Sequence, residues 1–250
     1  MFLAVTIGVF TILPAACLLG YWLGRRARER QDETEKSHAA AWQAALLALA
    51  GLLIGFTFSM AQVRYDARKQ IVLGEANHIG TTYLRTRLLD DTAGDPLRAL
   101  LRRYLDARLT YAEAGDDKDR IEKSVRASEV LGNEIWSRVA AAGRADTHSL
   151  MTSLLVQSTN DMLDAAEEHL AAVANPMPRT VFLVLILVTA AAMATVGYEC
   201  GLGAKMRLLG MLVMPLLLAT VILLVFDIAH PRIGILRVRD PILTRLKQSF

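Results

Sequence analysis

The sequence predicts an all-α integral membrane protein. Four transmembrane helices are expected, with a helical-bundle extramembrane domain between the second and third. Three observations predict this. Hydrophobic residues make up 53% of the 250-residue chain and gather into four blocks. Each block has the about 20 apolar residues needed to cross about 30 Å of hydrocarbon. Between the second and third blocks, apolar residues recur at spacings of three and four, and no segment alternates as a strand would.

The first span covers residues 2–23, interrupted only by Pro14. No basic segment precedes it, so it does not read as a cleaved signal peptide. Pro14-Ala15-Ala16-Cys17 is not read as a lipoprotein site either, because proline stands where an aliphatic residue is wanted. The second span covers 40–60, the third 180–198 and the fourth 208–226, with Pro215 inside it. Proline is tolerated in a membrane helix when neighbours satisfy the freed carbonyl. The expected divisions are 1–61 for the first two spans, 62–178 for the extramembrane domain, 179–229 for the last two spans and 230–250 for the tail.

Charge is partitioned along with hydropathy. Residues 62–178 hold 15 Lys and Arg against 18 Asp and Glu, while the remainder holds 13 against 7. The net +3 therefore arises from segments flanking the apolar blocks, where positive charge meets anionic headgroups. No basic patch is interleaved with aromatics, so nucleic acid is not an expected partner. Cys17 and Cys200 both lie inside apolar blocks, which leaves residues 62–178 without a disulfide framework. No Cys/His spacing suits a metal, and no cofactor is expected.

The second span is rich in small residues. Ala44, Ala48, Gly51 and Gly55 recur at three and four, and Gly51-Leu52-Leu53-Ile54-Gly55 is a GxxxG pattern that lets helix backbones approach. We expect Gly51 and Gly55 at a close helix contact, around the axis of a homo-oligomer or against the first span of the same subunit. Thr57, Ser59 and Gln62 are expected to face a polar cavity. Phe56 or Phe58 would form an apolar constriction that gates by dewetting. Arg64, Asp66, Arg68, Glu75 and Asn77 follow on the same helix. Arg68, Glu75 and Asn77 are read as lying near a common side, where they line an ion vestibule or form surface salt bridges.

One helix is expected from about 40 to about 88, because no breaker precedes Gly74 and Gly80. Residues 90–96 read as a loop ending in an Asp N-cap with Pro96 at the first helical position. A helix with Leu97, Leu100, Leu101, Tyr104, Leu105 and Leu109 on one face follows, broken at Gly115-Asp116-Asp117. The next helix runs over 119–142 and ends at Gly143. Asp146 and Thr147 can cap a last helix, which Asn175-Pro176-Met177-Pro178 stops.

No catalytic motif stands out, so an enzyme is not expected. His38, His78, His148, His169 and His230 are scattered, and Glu167-Glu168-His169 reads as a solvated helix face. Glu199 ends the third span, and Asp227 ends the fourth beside His230 and Arg232. Such groups sit at the headgroup level or face a bundle interior, where Asp227, His230 and Arg232 could pair or gate.

Several stretches carry a family likeness. Gly55-Phe56-Thr57-Phe58-Ser59-Met60-Ala61, Arg64-Tyr65-Asp66-Ala67-Arg68-Lys69 and Glu75-Ala76-Asn77 come first. Ile79-Gly80-Thr81, Tyr83-Leu84-Arg85, Leu100-Leu101-Arg102-Arg103-Tyr104, Asn160-Asp161-Met162, Gly197-Tyr198 and Pro231-Arg232-Ile233-Gly234 follow. Together they resemble the bacterial bestrophin-like family, over nearly the whole chain. The chain departs from that pattern at Ile228-Ala229-His230, where the family tends to place acidic and basic residues. By analogy with bestrophins, the resemblance implies a pentameric, anion-conducting channel with the second span lining its pore. Inorganic ions, the lipid bilayer and further copies of the chain would be its partners, in the cell inner membrane. A membrane sensor or scaffold with a helical ligand- or partner-binding domain is the other reading; the short tail after the last span offers it no output domain. Basic residues on the two sides of the spans are too evenly matched to orient the chain.

Overall fold

The computed structural model describes residues 2–28, 33–203, 208–230, 232 and 241–250. Its helices are α1 (Phe2–Ala27), α2 (Glu33–Arg85), α3 (Asp91–Glu113), α4 (Lys118–Ala145), α5 (Leu150–Ala174), α6 (Arg179–Leu202), α7 (Leu208–Ala229) and α8 (Pro241–Ser249). A 3-10 turn, Thr86–Leu88, follows α2. The described residues contain no strand. Four of the helices hold stretches long and apolar enough to cross a membrane: α1, α2, α6 and α7.

Local chemistry explains most of the ends. The Asp117 carboxylate accepts from Arg120 N at 3.0 Å and starts α4. Such a cap satisfies one of the four N–H groups that every helix start leaves open. Gly115, at φ 60°, makes the turn before it, where a side chain would be strained. Glycines 74 and 80 do not break α2, because isolated glycine in a helix costs only about 1 kcal/mol and packing outweighs it.

Three sequence-based boundaries are corrected. Residues 91–96 are helical: Asp90 is the cap, and Pro96 lies inside α3 rather than at its first position. Gly143 does not end α4, which continues to Ala145. Ser149, not Asp146 or Thr147, caps α5 by accepting from Thr152 N at 3.2 Å.

The chain forms two compact units, and the division falls within α2. One unit comprises Met1–Tyr65 and Met177–Leu236. Its core joins Val9, Leu13 and Cys17 of α1 to Ala50 and Ile54 of α2, Leu185, Ala192 and Met193 of α6, and Ala219 and Ile222 of α7. Thr189, fully buried in α6, gives its hydroxyl to Leu185 O at 2.7 Å, which satisfies it without a second helix.

The other unit comprises Asp66–Pro176 and Arg237–Phe250. Ile79, Leu101, Tyr104, Leu105, Ile135, Leu155 and Met162 fill its core with almost no exposure. Full burial of such side chains is worth about 1.5–3 kcal/mol each. Thr82, also buried, donates to Ser158 O at 2.8 Å and ties α2 to α5. The tail is part of this bundle. Leu243 is fully buried, and Phe250 stacks on Tyr83 with ring centroids 3.8 Å apart. The Tyr83 hydroxyl and Arg102 donate to the Phe250 main-chain oxygen at 3.0 and 2.8 Å.

Candidate functional site

Helix α2 turns about 100° per residue, which separates its apolar half into three rows. Ala50, Ile54, Thr57 and Ala61 form the first, and all are buried. Gly51, Gly55, Phe58 and Gln62 form the second. Nothing lies within 4 Å of where a methyl on Gly51 or Gly55 would sit. Leu49, Leu52, Phe56, Met60 and Val63 form the third, all exposed, with Phe56 at 63% and Phe58 at 40%. Ser59 lies opposite the buried row and is exposed.

The glycine pair therefore makes no contact with the first span, which removes one of the two packings open to it. Thr57 also sits elsewhere than expected. It belongs to the buried row, donates to Leu53 O at 2.6 Å and borders a mainly apolar pocket with Thr180, Val181 and Val184. At helical pitch it cannot share a face with Ser59, two residues on.

A different pair of GxxxG segments forms the tight contact. Gly20 and Gly24 of α1 meet Gly197 and Gly201 of α6. A methyl on Gly20 would lie 1.9 Å from Ala194 O, and one on Gly24 2.1 Å from Tyr198 O. From the other side, Gly197 would meet Cys17 O at 1.8 Å and Gly201 would meet Tyr21 O at 2.3 Å. The two backbones touch because neither has a side chain there. The same spacing that marks Gly51 and Gly55 was visible at both places in the sequence.

The polar residues after the span do not form one row. Arg64 is half-buried, Asp66 exposed and Arg68 buried. Glu75 is fully buried, whereas Asn77 is exposed. Residues two apart on a helix point to nearly opposite sides, so Glu75 and Asn77 cannot share a common one. Of the groups at the ends of the last two spans, Asp227 is buried and Glu199 half-buried. His230 stacks on Phe226, with ring centroids 4.1 Å apart, and its Nδ1 lies 2.9 Å from Phe226 O. Arg232 is half-buried.

Glu75 instead anchors a buried charge cluster in the bundle. Arg108 Nε of α3 donates to Glu75 Oε1. His169 Nδ1 of α5 lies 2.6 Å from Glu75 Oε2, within hydrogen-bond distance of the carboxylate. Arg108 Nη2 reaches Ala166 O at 3.5 Å, and Tyr111 packs edge-on against the imidazole. Burial alone would raise the Glu75 carboxyl, but the hydrogen bond from His169 and the charge and hydrogen bond of Arg108 hold it below the ordinary value. Burial would lower Arg108, and Glu75 more than reverses that. Burial pushes the Tyr104 phenol, which packs alongside, upward.

His169 corrects the reading of Glu167-Glu168-His169 as a solvated face: the two glutamates are exposed, but the histidine is buried. The cluster had a sequence signal in its register. Glu75 keeps step with Val72 and Ile79, Arg108 with Leu101 and Tyr104, and His169 with Met162 and Ala165, all core positions. Among the described residues, no group of His, Cys, Asp and Glu is placed to hold a metal ion.

A family model described as Bestrophin-like domain matches residues 11–242. The chain belongs to the bestrophin-like family. Its family and its four long apolar helices make this bestrophin-like chain a membrane protein. Among solved structures it is similar to a bacterial bestrophin homologue from Klebsiella pneumoniae, determined as a tyrosine-to-alanine variant. The TM-score is 0.69 at 10% identity, over 93% of this chain and 95% of that one. At that identity the likeness is one of fold. No curated protein sequence matches the bestrophin-like chain.

Proposed function

We propose that the protein is an ion channel of the inner membrane, built from several copies of the chain around an axis lined by α2. Its bundle of polar helices would lie outside the bilayer, between the second and third spans. The observation that carries the reading is the open side of α2. A GxxxG row and an apolar row both lie uncovered, while the opposite row is packed into the subunit. Exposed glycines on a membrane helix suit contact with another backbone. If the packed row points away from an axis, Leu52, Ser59 and Val63 point toward it. Phe56 then stands nearer the axis than Phe58, which lies on the glycine flank. Phe56 is the better candidate for an apolar constriction and Phe58 for the contact between copies. By analogy with bestrophins, the assembly is a pentamer and the conducted ion an anion.

Two measurements test this. Single cysteines placed along α2 should cross-link between subunits at the Gly51 and Gly55 positions. Purified protein in liposomes should pass ions, with selectivity read by ion substitution. Phe56→Ala should change conductance, and Phe58→Ala should weaken assembly first. Absence of any cross-link between subunits, together with absence of flux, would refute the proposal.

A further inference from the structure

The spans α2 and α6 form the walls of a mainly apolar groove of about 270 Å³. Leu53 and Thr57 line it from α2, and Thr180, Val181, Val184 and Leu185 from α6. The Thr57 hydroxyl is spent on Leu53 O, 2.6 Å away. Val184 and its neighbour Leu183 are exposed, so the described residues leave the groove open to the side. Within a membrane span such a groove fills with hydrocarbon, because water finds no polar partners there.

Each wall ends in an arginine. At helical pitch Arg64 shares a flank of α2 with Leu53 and Thr57, about two turns beyond Thr57. Long side chains on a helix lean toward its N-terminus, so Arg64 leans back toward the groove. Arg179 opens α6 one residue before Thr180; it is exposed and stands in no ion pair among the described residues. Consecutive spans run in opposite directions, so the turns of α2 after Thr57 lie beside the start of α6. No side chain caps that start, which leaves its first amides as further donors. Of the carboxylates near these positions, Asp66 lies on the opposite side of α2, and Asp227 is buried and already bonded. An apolar groove with cations at one end matches the two halves of one kind of molecule.

We propose that the groove holds an acyl chain of an anionic phospholipid, with the phosphate between Arg64 and Arg179. Basic pockets between membrane helices are a recurring form of anionic-lipid site. A choline lipid fills the groove equally well but sets its own cation against two arginines. A second copy of the chain could cover the apolar walls, but it leaves the arginines unanswered. Gly51 and Gly55 lie on the opposite flank of α2, so a copy seated on the glycines does not reach the groove. The site lies within one unit of the chain and does not depend on the channel reading.

The test uses the full chain, purified and delipidated in detergent, with bound lipid counted by native mass spectrometry. Dioleoyl phosphatidylglycerol and dioleoyl phosphatidylcholine share their chains and differ in charge. The glycerol lipid should bind at least fivefold more tightly. Arg179→Gln should cut that preference at least threefold without moving the unfolding midpoint, because the side chain is exposed. Val184→Trp fills the groove from an exposed position and should weaken both lipids at least fivefold. Arg64→Gln should act like Arg179→Gln, but the two exposed positions keep the test valid if that variant does not fold. Phosphatidylglycerol carrying a diazirine at mid-chain should label residues 53–57 or 180–185. The proposal is overturned if the two lipids bind equally, if Val184→Trp binds undiminished, or if the label falls elsewhere. It is equally overturned if Val184→Cys cross-links between subunits, which would give the groove to a second copy. None of these readouts involves ion flux, so failure here and failure of the channel reading are distinguishable.

Discussion

Gly197→Ala adds one methyl where α6 meets α1. That methyl would stand 1.8 Å from the Cys17 carbonyl oxygen and 2.9 Å from Tyr21 N. Both are backbone atoms, so no side chain can swing aside. Ordinary contact begins near 3.4 Å, so the two helices must separate locally by about 1.6 Å. The separation also loosens Val9, Leu13 and Cys17 against the buried face of α6, forfeiting dispersion contacts along the seam. Overfilling a tight contact costs about 1–3 kcal/mol, and this site belongs at the upper end because only backbone can yield. Gly8→Ala, elsewhere on α1, is the matched control, since open space surrounds that position. Within a single subunit it should gain about 0.5–1 kcal/mol from helix propensity. Denaturant unfolding of the purified protein in mixed micelles, followed by circular dichroism, reads both variants. If Gly197→Ala unfolds at the wild-type midpoint, or Gly8→Ala loses as much stability, the assignment of the tight contact is wrong.

Other perturbations bear on the polar bundle. Glu75→Gln leaves Arg108 buried without its counter-charge, and breaking a buried pair from one side costs about 3–5 kcal/mol, readable as a lower unfolding midpoint. Because the Glu75 carboxyl is held below its ordinary value of 4.5, its contribution is fully present above that pH and is lost as pH falls through the lowered value. Acid titration of wild-type stability should therefore show a loss below about pH 4.5 that Glu75→Gln lacks. Phe250→Ala removes the ring stacked on Tyr83 and should cost about 0.5–1.5 kcal/mol beyond the lost area, with faster proteolysis of the tail as a second readout. Ser149→Ala removes the cap of α5 and should cost about 1 kcal/mol, whereas Thr147→Ala should be nearly silent.

What the sequence determined by itself is what depends on residues near one another along the chain. Four apolar blocks become helices because only a helix satisfies every backbone group within its own segment. The long α2 was legible because no local breaker outweighs its pattern, and Asp117 marks a start because a carboxylate caps its own next turn. Tertiary structure alone decided which of three identical GxxxG spacings is used within the subunit. Gly20 and Gly24 find Gly197 and Gly201 opposite them, whereas Gly51 and Gly55 face nothing among the described residues. A glycine pair states only that a backbone is able to approach; the complementary surface lies far away in sequence. The same holds for Glu75, Arg108 and His169. Each breaks the apolar pattern of its own helix, and their burial is tolerable only because three helices bring two donors to one carboxylate.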